Sequence, residues 1–396
     1  MRSIFFFLSQ AQARPLSELE MKMQSSSSSS ICIFLVSRFL RNAHALASAS
    51  TQQGTKEDHI LSISHNAAME EGHCDLLSFA LIGSTTEGSE YYSAFYTFIA
   101  VSTLTFVVST VTRNYSQVDK LWSIVPFVYA WIAVTDQRTL LMAILATIWG
   151  IRLTANFARR GGYHWPPWRG DEDYRWAFIQ QGQLVGILKY RIPWMIFNLT
   201  FISFYQNFLL MLIVAPSYVA STMAKDPSCN AAPLNIFGLD GLATVLMMTF
   251  IVIESIADNQ QHKFQTEKYR QINAGVNREG DYADGFCQSG LFAIVRKPNY
   301  AAEQCIWISF YLFSVAATAT ATGGQIFNWS FIGAFLLVTL FQGSGWFTEK
   351  LTLIKYPVKY AMYQKRVPLY VPKLFGNGAR ADSSETSPLV TQKKER

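Results

Sequence analysis

Between Tyr91 and Thr348 the chain alternates long apolar runs with short polar segments. Crossing about 30 Å of hydrocarbon takes about 20 mostly apolar residues. Residues 91–112 (YYSAFYTFIAVSTLTFVVSTVT) meet that length outright. A shorter second run, Leu121 to Thr135, extends at an interface through Lys120 and Asp119, and a third, Arg138 to Ala158, carries Arg152 near its end. Ile192 to Ala224 begins with a fourth span, and Phe237 to Asp258 supplies a fifth that contains Glu254. The 45 residues from Gln304 to Thr348 hold no charge and are too long for one crossing; Gly323 and Gly324 divide them at about 302–322 and 328–346. The pattern predicts an all-α polytopic membrane bundle of about seven transmembrane helices.

The basic residues orient it, because Lys and Arg concentrate in cytoplasmic loops. The first loop holds Arg113 and Lys120, the second only Arg138, and the third Arg159, Arg160, Arg169, Arg175, Lys189 and Arg191. Lys225 stands alone in the fourth; Lys263, Lys268, Arg270, Arg278, Arg296 and Lys297 fall in the fifth, and none in the sixth. Ten more follow the last span. Odd loops and the C-terminus are therefore expected on the cytoplasmic side.

Composition agrees. The 396 residues are 50% hydrophobic, 14% aromatic and 15% charged, against roughly 25% charged in a soluble domain. A net charge of +6, spread among the helices, excludes a nucleic-acid partner. Cys32, Cys74, Cys229, Cys287 and Cys305 are far apart, and His59, His65, His73 and Cys74 match no metal-site spacing, so no disulfide scaffold or metal site is expected. Residues 1–90 read as a disordered or targeting extension, with a short apolar core at Phe5 to Leu8 inside Met1 to Ala13 and a Ser25 to Ser30 run. Residues 91–375 form the membrane domain and 376–396 a cytoplasmic tail. The tail ends in Lys393-Lys394-Glu395-Arg396, which resembles the dilysine retrieval signal of the endoplasmic reticulum.

Ionisable side chains at membrane depth are costly and mark functional sites. Glu254, Asp258, Gln261 and Gln265 recur at helical spacing along one stripe. The segment GDYADGFCQSGLFAIVRKPNYAAEQCIW, Gly280 to Trp307, leads through Gly290 into Arg296-Lys297-Pro298. Proline suits a first helical position, and free amides there together with two cations favour an anion. Asn299 and Glu303 share a face at i, i+4, beside Tyr300. Asp119, Trp149, Arg152, Arg160, the Asp171 to Trp176 stretch DEDYRW, and Gly343-Ser344-Gly345 with Glu349 come to the same side by topology. Neither a G-x-G-x-x-G nor a G-x-x-x-x-G-K-[ST] occurs, so a nucleotide would be held among the membrane helices.

The blocks VDKLW, WGIRL, EDYRW, ADNQQHKF, GLFAIVRKPNYAAE and SGWFTEK, followed by Tyr363-Gln364 and Val367-Pro368, resemble the membrane reductases related to steroid 5α-reductases, in their uncharacterised branch (DUF1295). The resemblance covers roughly residues 91 to 374. It implies a seven-helix bundle holding NADPH in a cytosol-facing cavity, contacted by Asp258, Arg296, Asn299, Tyr300 and Glu303, and more weakly by Arg152, Arg160 and Tyr363. It places the substrate-polarising pair at Asp119 and Trp149. Trp149 stands where steroid reductases have a tyrosine, and its indole N–H donates a hydrogen bond but delivers no proton. The implied reaction reduces an activated C=C bond of an apolar lipid- or steroid-like substrate. R-x-P-x-Y-x-x-E also resembles an element of isoprenylcysteine and phospholipid methyltransferases, which use S-adenosylmethionine. A methyltransferase and a non-catalytic lipid-binding protein are therefore the alternatives, and the sequence specifies no oligomeric state.

Overall fold

The computed structural model describes residues 89–170, 172–226, 229, 231–320 and 326–373. The extension up to residue 88 with its cysteines and histidines, Asp171, the Gly323-Gly324 divider, and the tail with Lys393-Lys394 lie outside the described residues. Among those residues the chain is helical with no strand.

Helix α1 is Ser89–Thr112. The second expected span is instead two pieces, α2 (Gln117–Leu121) and α3 (Val125–Ile132), the latter starting with a proline in its first turn. Helix α4, Gln137–Ala158, opens on a capping box in which the Asp136 carboxylate accepts from the Thr139 amide and the Thr139 hydroxyl accepts from the Asp136 amide. A short helix, α5 (Tyr174–Gln180), sits in the following loop, capped by Asp173.

The long apolar run after Arg191 is α6 (Arg191–Phe197), a π-helical stretch (Asn198–Tyr205) and α7 (Gln206–Leu212). It breaks before α8 (Ala215–Lys225), where Pro216, lacking an amide hydrogen, suits a new first turn. Helix α9, Leu239–Asn273, has 35 residues and is about 52 Å long, so its last turns outrun the hydrocarbon. Then come α10 (Gly280–Asp284), α11 (Pro298–Thr318), α12 (Phe331–Lys355) and α13 (Pro357–Arg366).

Five helical stretches are long and apolar enough to cross a bilayer: 90–112, 137–158, 191–212, 239–273 and 331–355. The two expected spans that fall short do so for different reasons. α2 and α3 are each too short. α11 is 21 residues long, but 17 of them are buried, including Asn299, Glu303, Gln304, Ser309 and Ser314. A helix enclosed by other helices needs no lipid-facing apolar surface, so polar residues are admitted there once they find partners. The apolar exterior is consistent with an integral membrane protein: Ile144, Ile148 and Ile151 of α4 and Leu242, Val245 and Val252 of α9 are exposed.

Helices α4 and α9 run parallel in a fixed register. Arg138 forks onto Asp240, Nε to Oδ1 at 2.8 Å and Nη2 to Oδ2 at 3.0 Å, and its remaining N–H groups reach the Ala232 and Pro233 carbonyls at 2.9 Å. Fourteen residues further on each helix, Arg152 meets Glu254, and then Asn156 meets Asp258; all three pairs are 102 residues apart. At the Arg138 end Lys225 of α8 also pairs with Glu90 of α1, at 2.6 Å. α11 lies antiparallel against α9, the most extensive pairing in the bundle, with Asn299 facing Asp258 and Glu303 facing Glu254.

Removing one partner of a buried ion pair leaves the other charge uncompensated. Arg138→Met is expected to cost on the order of 3–5 kcal/mol, and Arg138→Met/Asp240→Leu less than the sum of the two single changes. Thermal unfolding of the purified protein in detergent measures both; additive losses would count against the pair as the register lock.

Candidate functional site

One turn and a half from the end of α4, Arg152 is surrounded by carboxylates. Its Nη2 lies 2.5 Å from Glu254 Oε2 and 3.8 Å from Glu303 Oε2, and its Nη1 lies 3.0 Å from Asp258 Oδ2. Its Nε is buried without a partner. Asn156 donates to Asp258 Oδ2 at 2.7 Å, and the Asn299 amide to Asp258 Oδ1 at 3.5 Å. Arg160, just past the helix, stands 3.8 Å from the same carboxylate, while Arg159 is held by Asn156 and Asn259. Glu303 accepts from two indoles, Trp149 on Oε2 and Trp307 on Oε1, both at 3.0 Å, and the two rings meet edge to face at 4.9 Å. Arg152 thus joins α4 to both α9 and α11 as the cation shared by all three carboxylates.

Of the expected cofactor residues, Arg152, Arg160, Asp258, Asn299 and Glu303 come together here. Trp149 joins them, with its N–H engaged by Glu303 instead of facing an open substrate position. Asn156 and Trp307, which the sequence reading passed over, are part of the same cluster. Both are on the right stripe: Asn156 follows Arg152 by four residues, and Trp307 follows Glu303 by four.

Arg296 and Tyr363 are elsewhere. Arg296 pairs with Glu349 of α12, Nη2 to Oε2 at 2.7 Å, and its Nη1 reaches the carbonyls of Gln364, at 3.2 Å, and Val367. Glu349 also accepts from Tyr360 and, at 2.5 Å, from the Gln364 amide. The amides of Arg296 and Lys297 donate to the Pro368 and Leu369 carbonyls. Tyr363 donates to the Phe292 carbonyl at 2.5 Å. Arg296, expected to meet a phosphate, therefore straps the segment after α13 onto the start of α11, with each of its guanidinium nitrogens engaged. Tyr300 packs between Phe341 and Tyr370, and the Lys297 ammonium lies 5.4 Å above its ring.

Asp119 belongs to a third group. The loop after α4 is strapped to the start of α2: the Asn114 amide donates to the Gly170 carbonyl, the Tyr115 amide to Glu172, the Asp173 amide to Ser116 and the Gln117 amide to the Trp168 carbonyl, all at 2.6–2.9 Å. Lys120 caps the Pro167 and Arg169 carbonyls. Asp119 is 3% exposed and its Oδ1 has no partner. Asp173 forms an ion pair with Arg175 at 3.2 Å. Burial lifts the Asp173 carboxyl to about 7, with Arg175 opposing the rise and Asp119 adding to it. Glu172 is raised for the same first reason. Phe178 of α5 meets Phe347 of α12 at 5.8 Å, which seats this group against the bundle.

An all-helical bundle with a buried ionic centre at membrane depth defines the class. The chain matches the family described as a protein of unknown function (DUF1295) over residues 105–367, and it belongs to that family. It is also 35% identical over 284 residues to an uncharacterised protein of Schizosaccharomyces pombe, covering 68% of this chain and 76% of the relative. No solved structure matches it.

Asp173 titrates higher in the fold than in the unfolded chain, so its contribution to stability is complete below about 4 and is lost as pH rises to about 7. Asp173→Asn keeps the cap on α5 and removes the titration. The variant is expected to flatten the fall in unfolding temperature between pH 5 and pH 8 relative to the unaltered protein; an unchanged slope would place the titration elsewhere.

Proposed function

We propose that the chain is an NADPH-dependent membrane reductase acting on an activated C=C bond of an apolar lipid- or steroid-like molecule. The observation that carries this reading is the Arg152 cluster, where three carboxylates, two side-chain amides and two arginines from α4, α9 and α11 meet at membrane depth. Such a donor set suits a nucleotide: carboxylates accept from ribose hydroxyls, as acids do in dinucleotide sites, and Arg159, exposed at the rim, suits its phosphates.

When bound, NADPH supplies a hydride to the β-carbon of the conjugated bond. The residues do the remainder. Glu254, Asp258 and Glu303 orient hydroxyl groups, and Asn299 presents an amide beside them. Trp149 positions Glu303 through its indole N–H instead of touching substrate. Asp119, buried with a free oxygen in the loop group after α1, is the acid proposed to polarise the substrate, whose neighbouring carbon takes its proton from solvent. The charge alternation and the terminal Lys393-Lys394 support an endoplasmic reticulum membrane with a cytoplasmic C-terminus.

Purified full-length protein in detergent tests the reading. NADPH is expected to bind with a fluorescence change, and Asn299→Ala to weaken binding by about tenfold, equivalent to about 1.4 kcal/mol, while leaving the unfolding temperature near that of the unaltered protein. Binding of S-adenosylmethionine without NADPH would replace the reductase with the methyltransferase. Binding of neither would favour a lipid-binding protein.

A further inference from the structure

About 15 Å along α9 from Asp258, a second charged group faces a different side of the helix. Lys268 is 5% exposed. Its ammonium donates to the Gly285 carbonyl at 3.2 Å and lies 5.0 Å from the Tyr269 ring centre. Lys355, at the end of α12, holds its ammonium 5.5 Å from the Tyr356 ring centre, and it and Arg278, in the loop before α10, are the charges that repel the Lys268 ammonium. Gly285 has φ +88°, and a side chain there would come within 2.7 Å of the Tyr356 ring and hydroxyl, so the loop and the α12–α13 junction are in contact around the lysine.

Among the described residues no carboxylate forms an ion pair with Lys268, Arg278 or Lys355. Three acids of the adjoining segments are committed, Asp284 to Lys359 at 2.7 Å, Asp281 to the Gln288 amide, and Glu267 to Arg270, and Glu279, next to Arg278, is exposed. Exposed cations at a membrane edge need no partner. A buried one does, because an uncompensated charge removed from water is strongly disfavoured and two further cations add repulsion. We propose that Lys268, Arg278 and Lys355 form a binding site for a phosphate group, with the Tyr356 hydroxyl at its edge. A phosphate monoester carries about −1.5 to −2 charges, which offsets most of three cations. The site opens to the exterior through the exposed Arg278 and Lys355, so a lipid headgroup and a free phosphate both have access.

The test uses the full chain and three readings of its unfolding temperature. In neutral detergent, inorganic phosphate is compared with chloride at matched ionic strength, which removes general screening. In nanodiscs, phosphatidylcholine alone is compared with phosphatidylcholine containing phosphatidylinositol 4-phosphate. A rise of about 2–4 °C or more in either arm supports the site; a rise in the first assigns a free phosphate, and a rise confined to the second assigns a lipid headgroup. Lys268→Met, which keeps the apolar stem, is expected to raise the ligand-free temperature and to abolish the gain. The exposed pair Arg278→Gln/Lys355→Gln tests the same loss should Lys268→Met fail to fold. No rise in either arm, or a rise that survives the substitutions, overturns the proposal.

Discussion

The register between α4 and α9 is the constraint on which the rest of the bundle depends. Arg138 with Asp240 and Arg152 with Glu254 are two rungs separated by 14 residues on both helices, about 21 Å along the axis. Fourteen residues is close to four turns, so both rungs lie on one face. A slip of one residue turns a helix by 100° and would part Arg138 from Asp240 and Arg152 from Glu254, all of them buried. The parallel pair is therefore specified by electrostatics, and the apolar surfaces, which tolerate sliding, follow it.

Once that pair is set, α11 has little freedom. Its Glu303 must reach both Arg152 and the two indoles, and its Asn299 must reach Asp258. The spacing of four residues between them matches the spacing of Glu254 and Asp258, so an antiparallel helix satisfies both contacts at once. Burial of α11 follows from its chemistry: a helix with an amide, a carboxylate and a glutamine in its first two turns is stable at this depth only inside the bundle.

This division explains what was legible in the sequence. Arg152, Glu254, Asp258, Asn299 and Glu303 were readable because each is an anomaly in an apolar run, and an anomaly implies a partner. The fold class was readable for the complementary reason, the runs themselves. The number of crossings was not, because length and hydropathy describe a helix facing lipid, while α11 faces protein and α2 and α3 are interrupted at Trp122 to Ile124. The role of Arg296 was also hidden. A basic pair before a helical proline reads locally as an anion cradle, and only the return of α12 and α13 brings Glu349 and the Val367 carbonyl to it. That contact spans 53 residues to Glu349, and no periodic pattern encodes it.

The start of α11 consequently has two sides with opposite needs. Toward α4 and α9 it presents Asn299 and Glu303 to a cluster in which acids outnumber the arginines that touch them, an environment for hydroxyl and amide groups. Toward α12 it presents Arg296 to Glu349, a closed pair. Opening that pair to admit a phosphate would strand Glu349 and release the Gln364 and Val367 carbonyls together, a loss of several kcal/mol for a buried, multiply bonded ion pair. A phosphate is better met by cations that have no carboxylate to give up, Lys268 with Arg278 and Lys355 further along α9. The arginine with the most suggestive sequence context is thus the one that holds the fold, and the lysine with the least suggestive context is the one left with charge to offer.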